Sequence, residues 1–253
     1  MKTSDHTTAP LPQLPFNVRN FLRLTPSGHQ NHRCNICSAV IEERYFLDPY
    51  GTIICHRHTP QFCCLCARII IGDPIAVPGY GYACFDCGRE KSYQEVELIR
   101  RKINNFYSSL HIYIPGYQLR LVSPEEMNAT YGRKNGRPPL GAARKIKDCS
   151  RYAIDLMSQQ SKLDIGNTLA HELLHLWQYH RNISAPLEYA EGFCNLGAFL
   201  FTSTVDKDEA LVLLSKMMEN RDRNYGSAFR QLKILYDIYG LPTVIAAMKT
   251  YAL

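Results

Sequence analysis

Two regimes of hydrophobic and polar patterning divide the chain near residue 90. Beyond it, "SYQEVELIRRKINNFYSSL" spaces its apolar residues as one face of a helix and predicts a helix beginning near Ser92. "LHIYI" and "YQLRLV" alternate on either side of Pro115-Gly116, which predicts a β-hairpin. "SPEEM" is a capping signature that opens a further segment. Three helical blocks follow, around 166–180, 187–203 and 207–220. A last pair, "SAFRQLKILYDIYG" and "LPTVIAAMKTY", is broken by Gly240 and Pro242. Before residue 90 the periodicity is lost. Residues 34–87 are rich in cysteine, dotted with Gly and Pro and short of helix signals, while 1–32 read as a flexible tail with "FNVRNFLRL" its one candidate ordered piece. The expected class is α+β. A cysteine-rich module, 33–90, precedes a mostly helical domain with a small β-sheet, 91–253. The composition changes abruptly at 89–92, which predicts separate cores for the two.

Composition narrows the function only coarsely. At 253 residues the chain can bury a sizeable core. A net charge of +6 permits an acidic partner without demanding one, and no basic stripe interleaved with aromatics points to nucleic acid. The basic run "YGRKNGRPPLGAARKIKDCSR" reads as a loop or edge hairpin with a solvated face. No export signal and no membrane-length apolar run are visible, so the expectation is a cytoplasmic protein with no membrane partner. In that setting ten cysteines, mostly in C-x-x-C pairs, favour thiolates that hold metal over disulfides.

The cysteines form an internal repeat. Cys34, Cys37, Cys55 and His58 make C-x2-C-x17-C-x2-H; Cys63, Cys66, Cys84 and Cys87 make C-x2-C-x17-C-x2-C, each 29 residues after its counterpart. Pro49 and Pro78 keep the same offset. A C-x2-C turn brings two thiolates to one side of a metal, and a hairpin returns the chain with two more ligands. Four N/S ligands close a tetrahedral structural zinc site, and a unit this small needs the metal's binding energy to fold. His56 falls out of register. Cys64, Cys149 and Cys194 are left over as small buried residues.

In "TLAHELLHLWQYH", His171 and His175 lie four apart and share a helix face, with Glu172 beside the first. Two histidines on so apolar a helix are costly unless ligated or hydrogen-bonded. This pattern lets both bind one zinc ion while Glu172 takes a proton from a zinc-bound water. Trp177 reads as core and His180 as a surface residue at the helix end.

Several resemblances follow from these residues. The two tandem units resemble a LIM domain, with a longer linker from His58 to Cys63, and such modules bind proteins. H-E-L-L-H-L-W followed by "AEGFCN" resembles the gluzincin peptidases, which implies Glu191, sixteen residues beyond His175, as third zinc ligand, with Glu188 its competitor. Asn195, one turn further, is placed to orient His171. The order of the LIM-like double ribbon, "NFYSSL", H-E-L-L-H-L-W, E-G-F-C and "YGSAFRQ…YGL" is similar to that of the plant ubiquitin-activated LIM peptidases that restrict organ growth. That resemblance runs from Cys34 to the C-terminus. The ubiquitin-interacting helices of the plant proteins have no counterpart in residues 1–32, so it implies a minimal relative and is compatible with a bacterial one. The implied activity is a zinc metallopeptidase with one catalytic and two structural zinc ions. It would act on a protein or peptide substrate, and the LIM-like module would recruit or regulate. Tyr225, in "NYGSAF", is the candidate donor to the developing oxyanion. A competing class is a non-catalytic LIM-type adaptor, although a scaffold has no use for Glu172.

Overall fold

A computed structural model describes residues 22–24 (backbone only), 32–42, 44–132, 136–146 and 151–252. Cys149 and most of "FNVRNFLRL" lie outside the described residues.

The sequence repeat is a structural repeat. In the first unit β1 (Leu22–Leu24), β2 (Arg44–Leu47) and β3 (Ile53–Cys55) form an antiparallel sheet in that order. In the second, β4 (Ile75–Val77) pairs with β5 (Gly81–Ala83), and α1 (Phe85–Gly88) carries Cys87. Each C-x2-C turn is closed by a bridge, Arg33 with Val40 and Phe62 with Ile69, 29 residues apart at both ends (33 to 62, 40 to 69). Each also bends through a residue of positive φ, Ser38 at 60° and Ala67 at 68°. Asp48 ties the units together. Its Oδ1 accepts from the N–H groups of Tyr50 and Thr52 at 2.8 and 2.9 Å, and its Oδ2 from Ile69 N–H at 2.7 Å.

The following segment is mixed. α2 (Tyr93–Ser109) starts at the expected place with a full capping box between Ser92 and Glu95. β6 (Tyr117–Val122), α3 (Pro124–Tyr131), β7 (Gly141–Lys145) and β8 (Tyr152–Met157) come next. Their sheet has the order β6-β8-β7, with β6 parallel and β7 antiparallel to β8. Then come α4 (Lys162–His180), α5 (Leu187–Thr202), α6 (Asp208–Glu219), a π-helical turn (Arg223–Ser227) and α7 (Ala228–Lys249), which kinks at Gly240, φ 77°.

Two expectations need correction. The hairpin around Pro115-Gly116 does not form: residues 110–114 are not a strand, and β6 pairs with β8 instead. Ile112 is buried because its N–H caps α2 at Tyr107 O (2.9 Å) and its side chain joins the helical core, so the alternation marks a helix end packing inward. The cores are not separate either. The second cysteine unit packs Cys63, Val77, Tyr80 and Ala83 against Val122, Met127 and Met157 from the sheet and α3. Two short strands offer too little apolar surface to close a core alone. The larger core lies among α2, α4, α5 and α7, with Trp177 buried in it as expected. Among the described residues, no helix is long and apolar enough to cross a membrane.

Candidate metal centres

Three groups of potential ligands converge. In the first unit the ligand atoms of Cys34, Cys37, Cys55 and His58 all lie within 4.8 Å of one another. The Cys37 and Cys55 sulfurs are 4.0 Å apart, near the roughly 3.8 Å expected across a tetrahedron with zinc–sulfur bonds of about 2.3 Å. His58 Nε2 is buried with no hydrogen-bond partner, an orphan that a metal would satisfy. Burial raises the Cys34 thiol, but N–H groups of Cys37, Cys55 and Ile36 outweigh it and bring it down to about 6. A thiolate is therefore favoured there.

In the second unit Cys63, Cys66, Cys84 and Cys87 gather within the same 4.8 Å, with the Cys66 and Cys84 sulfurs 3.8 Å apart. Hydrogen bonds from its three neighbours drive the Cys63 thiol far down, while the same contact with Cys63 drives Cys66 and Cys87 up. Four sulfurs this close cannot all ionise unless a cation sits among them. Both donor sets fit a tetrahedral metal such as zinc. Cys64, left over, is buried.

The third group is built by α4 and α5. His171 Nε2 and His175 Nε2 approach to 3.1 Å, and Glu191 Oε2 lies 3.1 and 3.4 Å from them. Zinc–nitrogen bonds of about 2.0–2.1 Å place tetrahedral neighbours roughly 3.3 Å apart. The tautomers follow from the amides behind the rings. Asn195 Nδ2 donates to Tyr225 O at 2.6 Å, so its oxygen faces His171 Nδ1 at 2.9 Å. Gln178 Nε2 donates to Ala190 O at 3.1 Å, so its oxygen faces His175 Nδ1 at 3.1 Å. Each Nδ1 must therefore carry its proton, and each Nε2 presents a lone pair to the other and to a carboxylate. Three acceptors meeting at 3.1–3.4 Å repel unless a cation lies between them.

Without a metal a proton must do this. Burial opposes the Glu191 carboxylate, yet His171 and His175 hold it down at about 2. His175 is displaced upward: burial works against its charge, and the neighbouring Cys194 and Glu191 outweigh it.

Glu188, the competitor, turns away, with Oε1 3.8 Å from Arg223. Cys194 also comes within 4.8 Å of both histidines. Its buried thiol is pushed up to about 11 and donates to Gln178 Oε1, the oxygen that faces His175 Nδ1. Glu191, touching both Nε2 atoms, fits the third ligand position better.

Asn195 stands where the sequence placed it. Gln178 did not emerge from the sequence, although its position one turn after His175 was the available signal.

A cleft of about 440 Å³ opens over this group, lined by Gly141, Ala143, His171, Glu172, Tyr179 and Tyr225 among others. Glu172 is 8% exposed, and its Oε2 accepts from Ala143 N–H on the edge strand β7 at 2.8 Å. Gly141 lets that strand lie flush on α4. A Cβ there would stand 2.7 Å from Thr168 Cγ2 and 2.9 Å from Glu172 Cγ. Tyr225, 39% exposed on the π-helical turn, has its ring centroid 6.3 Å from that of His171. His180 is exposed at the end of α4, its ring edge-on to Tyr152. No family model, curated protein or solved structure matches the chain.

Proposed function

We propose that this protein is a zinc-dependent metallopeptidase of gluzincin type, carrying a LIM-like pair of structural zinc ribbons. The observation that carries the reading is the convergence of three bare acceptor atoms, from His171, His175 and Glu191, at the floor of an open cleft with Glu172 beside them. The two cysteine-rich units supply four ligands each and leave no open position. The third group supplies three, and so leaves one for water or substrate. Zinc bound there would polarise a peptide carbonyl and acidify a water molecule.

The chain's own residues then divide the work. Asn195 and Gln178 hold the imidazoles in one tautomer and one orientation. Ala143 N–H holds the Glu172 carboxylate on the cleft side of α4. Glu172 removes the proton from the attacking water and returns it to the departing amine. Tyr225, at the rim, donates to the oxygen that gains negative charge. The LIM-like pair serves recognition of a protein substrate or partner.

The test is incubation of the zinc-loaded protein with a peptide library, beside Glu172→Ala. New termini produced by the wild type and lost in the variant are expected. No cleavage by zinc-loaded wild type would refute the reading.

A further inference from the structure

We infer that the second cysteine-rich unit positions Glu172: Tyr80 and Arg137 clamp the segment that leads into β7, and β7 in turn holds the Glu172 carboxylate. The inference rests on the peptidase reading only for its catalytic consequence.

The connection can be followed bond by bond. Tyr80, 4% exposed in the turn between β4 and β5, donates its hydroxyl to Pro139 O at 2.7 Å. Arg137 donates to Cys64 O at 2.9 Å, and Cys64 lies between the ligands Cys63 and Cys66. Leu140 packs its side chain into the core of the same unit. Its carbonyl accepts from Met157 N–H at 3.0 Å and from Gln160 Nε2 at 3.2 Å, which anchors the start of β7 to β8 and to the turn before α4. Gln160 in turn accepts from Thr168 Oγ1 at 2.9 Å, and Thr168 is one helical turn before Glu172. Three residues on from Leu140, Ala143 N–H meets Glu172.

β7 itself is held by its ladder with β8 and by its packing on α4, whereas Tyr80 and Arg137 hold the segment that enters it. As an edge of the sheet it pairs with β8 on one side only, and on the other its Ala143 N–H meets Glu172 of α4. When the clamp is lost, residues 137–140 are freed at the mouth of β7 and local opening spreads into the first residues of the strand, up to the Ala143–Glu172 bond. Tyr80 and Arg137 are thus positioning residues, acting through β7 and not on substrate.

Tyr80→Phe isolates the clamp: it keeps the ring in the core and removes only the donor to Pro139. Full-length, zinc-loaded wild type, Tyr80→Phe and Arg137→Ala are compared by zinc content, by amide hydrogen exchange and by hydrolysis of a short peptide. The expectation is exchange about tenfold faster in residues 140–146 and unchanged in α5 and α7. Zinc content stays the same, while kcat falls about tenfold with KM unaltered. Exchange in 140–146 that matches wild type overturns the inference. A rise spread through all helices also overturns it, because Tyr80 would then contribute only general stability. If wild type hydrolyses nothing, the peptidase reading fails and the exchange pattern alone decides whether the clamp exists.

Discussion

Gly141→Ala tests how closely β7 must lie against α4. The added Cβ would meet Thr168 Cγ2 at 2.7 Å and Glu172 Cγ at 2.9 Å, whereas carbon atoms rest about 3.5–4.0 Å apart. Neither neighbour can yield freely. Thr168 is tied through Oγ1 to Gln160 at 2.9 Å, and Glu172 is tied to Ala143 N–H at 2.8 Å. The strand must therefore retreat by about 1 Å, and the Ala143–Glu172 bond, two residues along, stretches past hydrogen-bonding range. Overpacking of this kind costs about 1–3 kcal/mol, or about 2–4 °C of Tm for each kcal/mol in a chain of this size. In the proposed peptidase, a 1 Å displacement of Glu172 costs about 10²-fold in rate. The assay is kcat/KM on a fluorogenic peptide with zinc content and thermal unfolding in parallel. Gly116→Ala, with nothing within 4 Å of the new methyl, is the silent control. A Gly141→Ala protein that is as stable and as active as wild type would refute the packing argument.

Three further outcomes follow from the same geometry. Asn195→Ala and Gln178→Ala each release one imidazole from its tautomer and should weaken zinc binding at the His171 site about 10–100-fold, read by competition with a chromogenic chelator. Glu191→Ala should lose that zinc while Glu188→Ala keeps it, since only Glu191 touches both Nε2 atoms. In zinc-free protein the Glu191 carboxyl lies at about 2, below its usual value of about 4.3, so it contributes stability that is complete above pH ~4.3 and lost as pH falls towards 2. Acid-unfolding curves of zinc-free Glu191→Gln should be flatter than wild type across that window.

Much of the candidate site was legible because its elements are local. His171, Glu172 and His175 share one helical turn, and the 29-residue repeat marks both cysteine sets without any knowledge of the fold. α2 begins where its capping residue places it, and α5 and α6 lie close to where apolar spacing places them, while α4 begins a turn earlier than expected, at Lys162 behind the cap Ser161. What escaped is non-local. β8 is buried along its whole length, so "YAIDLM" has no alternation to betray a strand, and it is the partner that draws β6 out of the expected hairpin. The shared core of the second cysteine unit depends on Val122, Met127 and Met157 arriving from three different elements. Ala143 reaches Glu172 through a backbone N–H, which no side-chain motif can announce.

If the acceptors of His171, His175 and Glu191 surround a metal ion, that ion must scatter as one. Anomalous diffraction from crystals of the zinc-loaded protein, measured on both sides of the zinc edge, tests it most directly. Three peaks are expected: one within each set of four ligands, and a third bonded to His171 Nε2, His175 Nε2 and Glu191 at about 2.0–2.2 Å. Peaks confined to the two cysteine-rich units, with His171, His175 and Glu191 joined only by a proton, would contradict it.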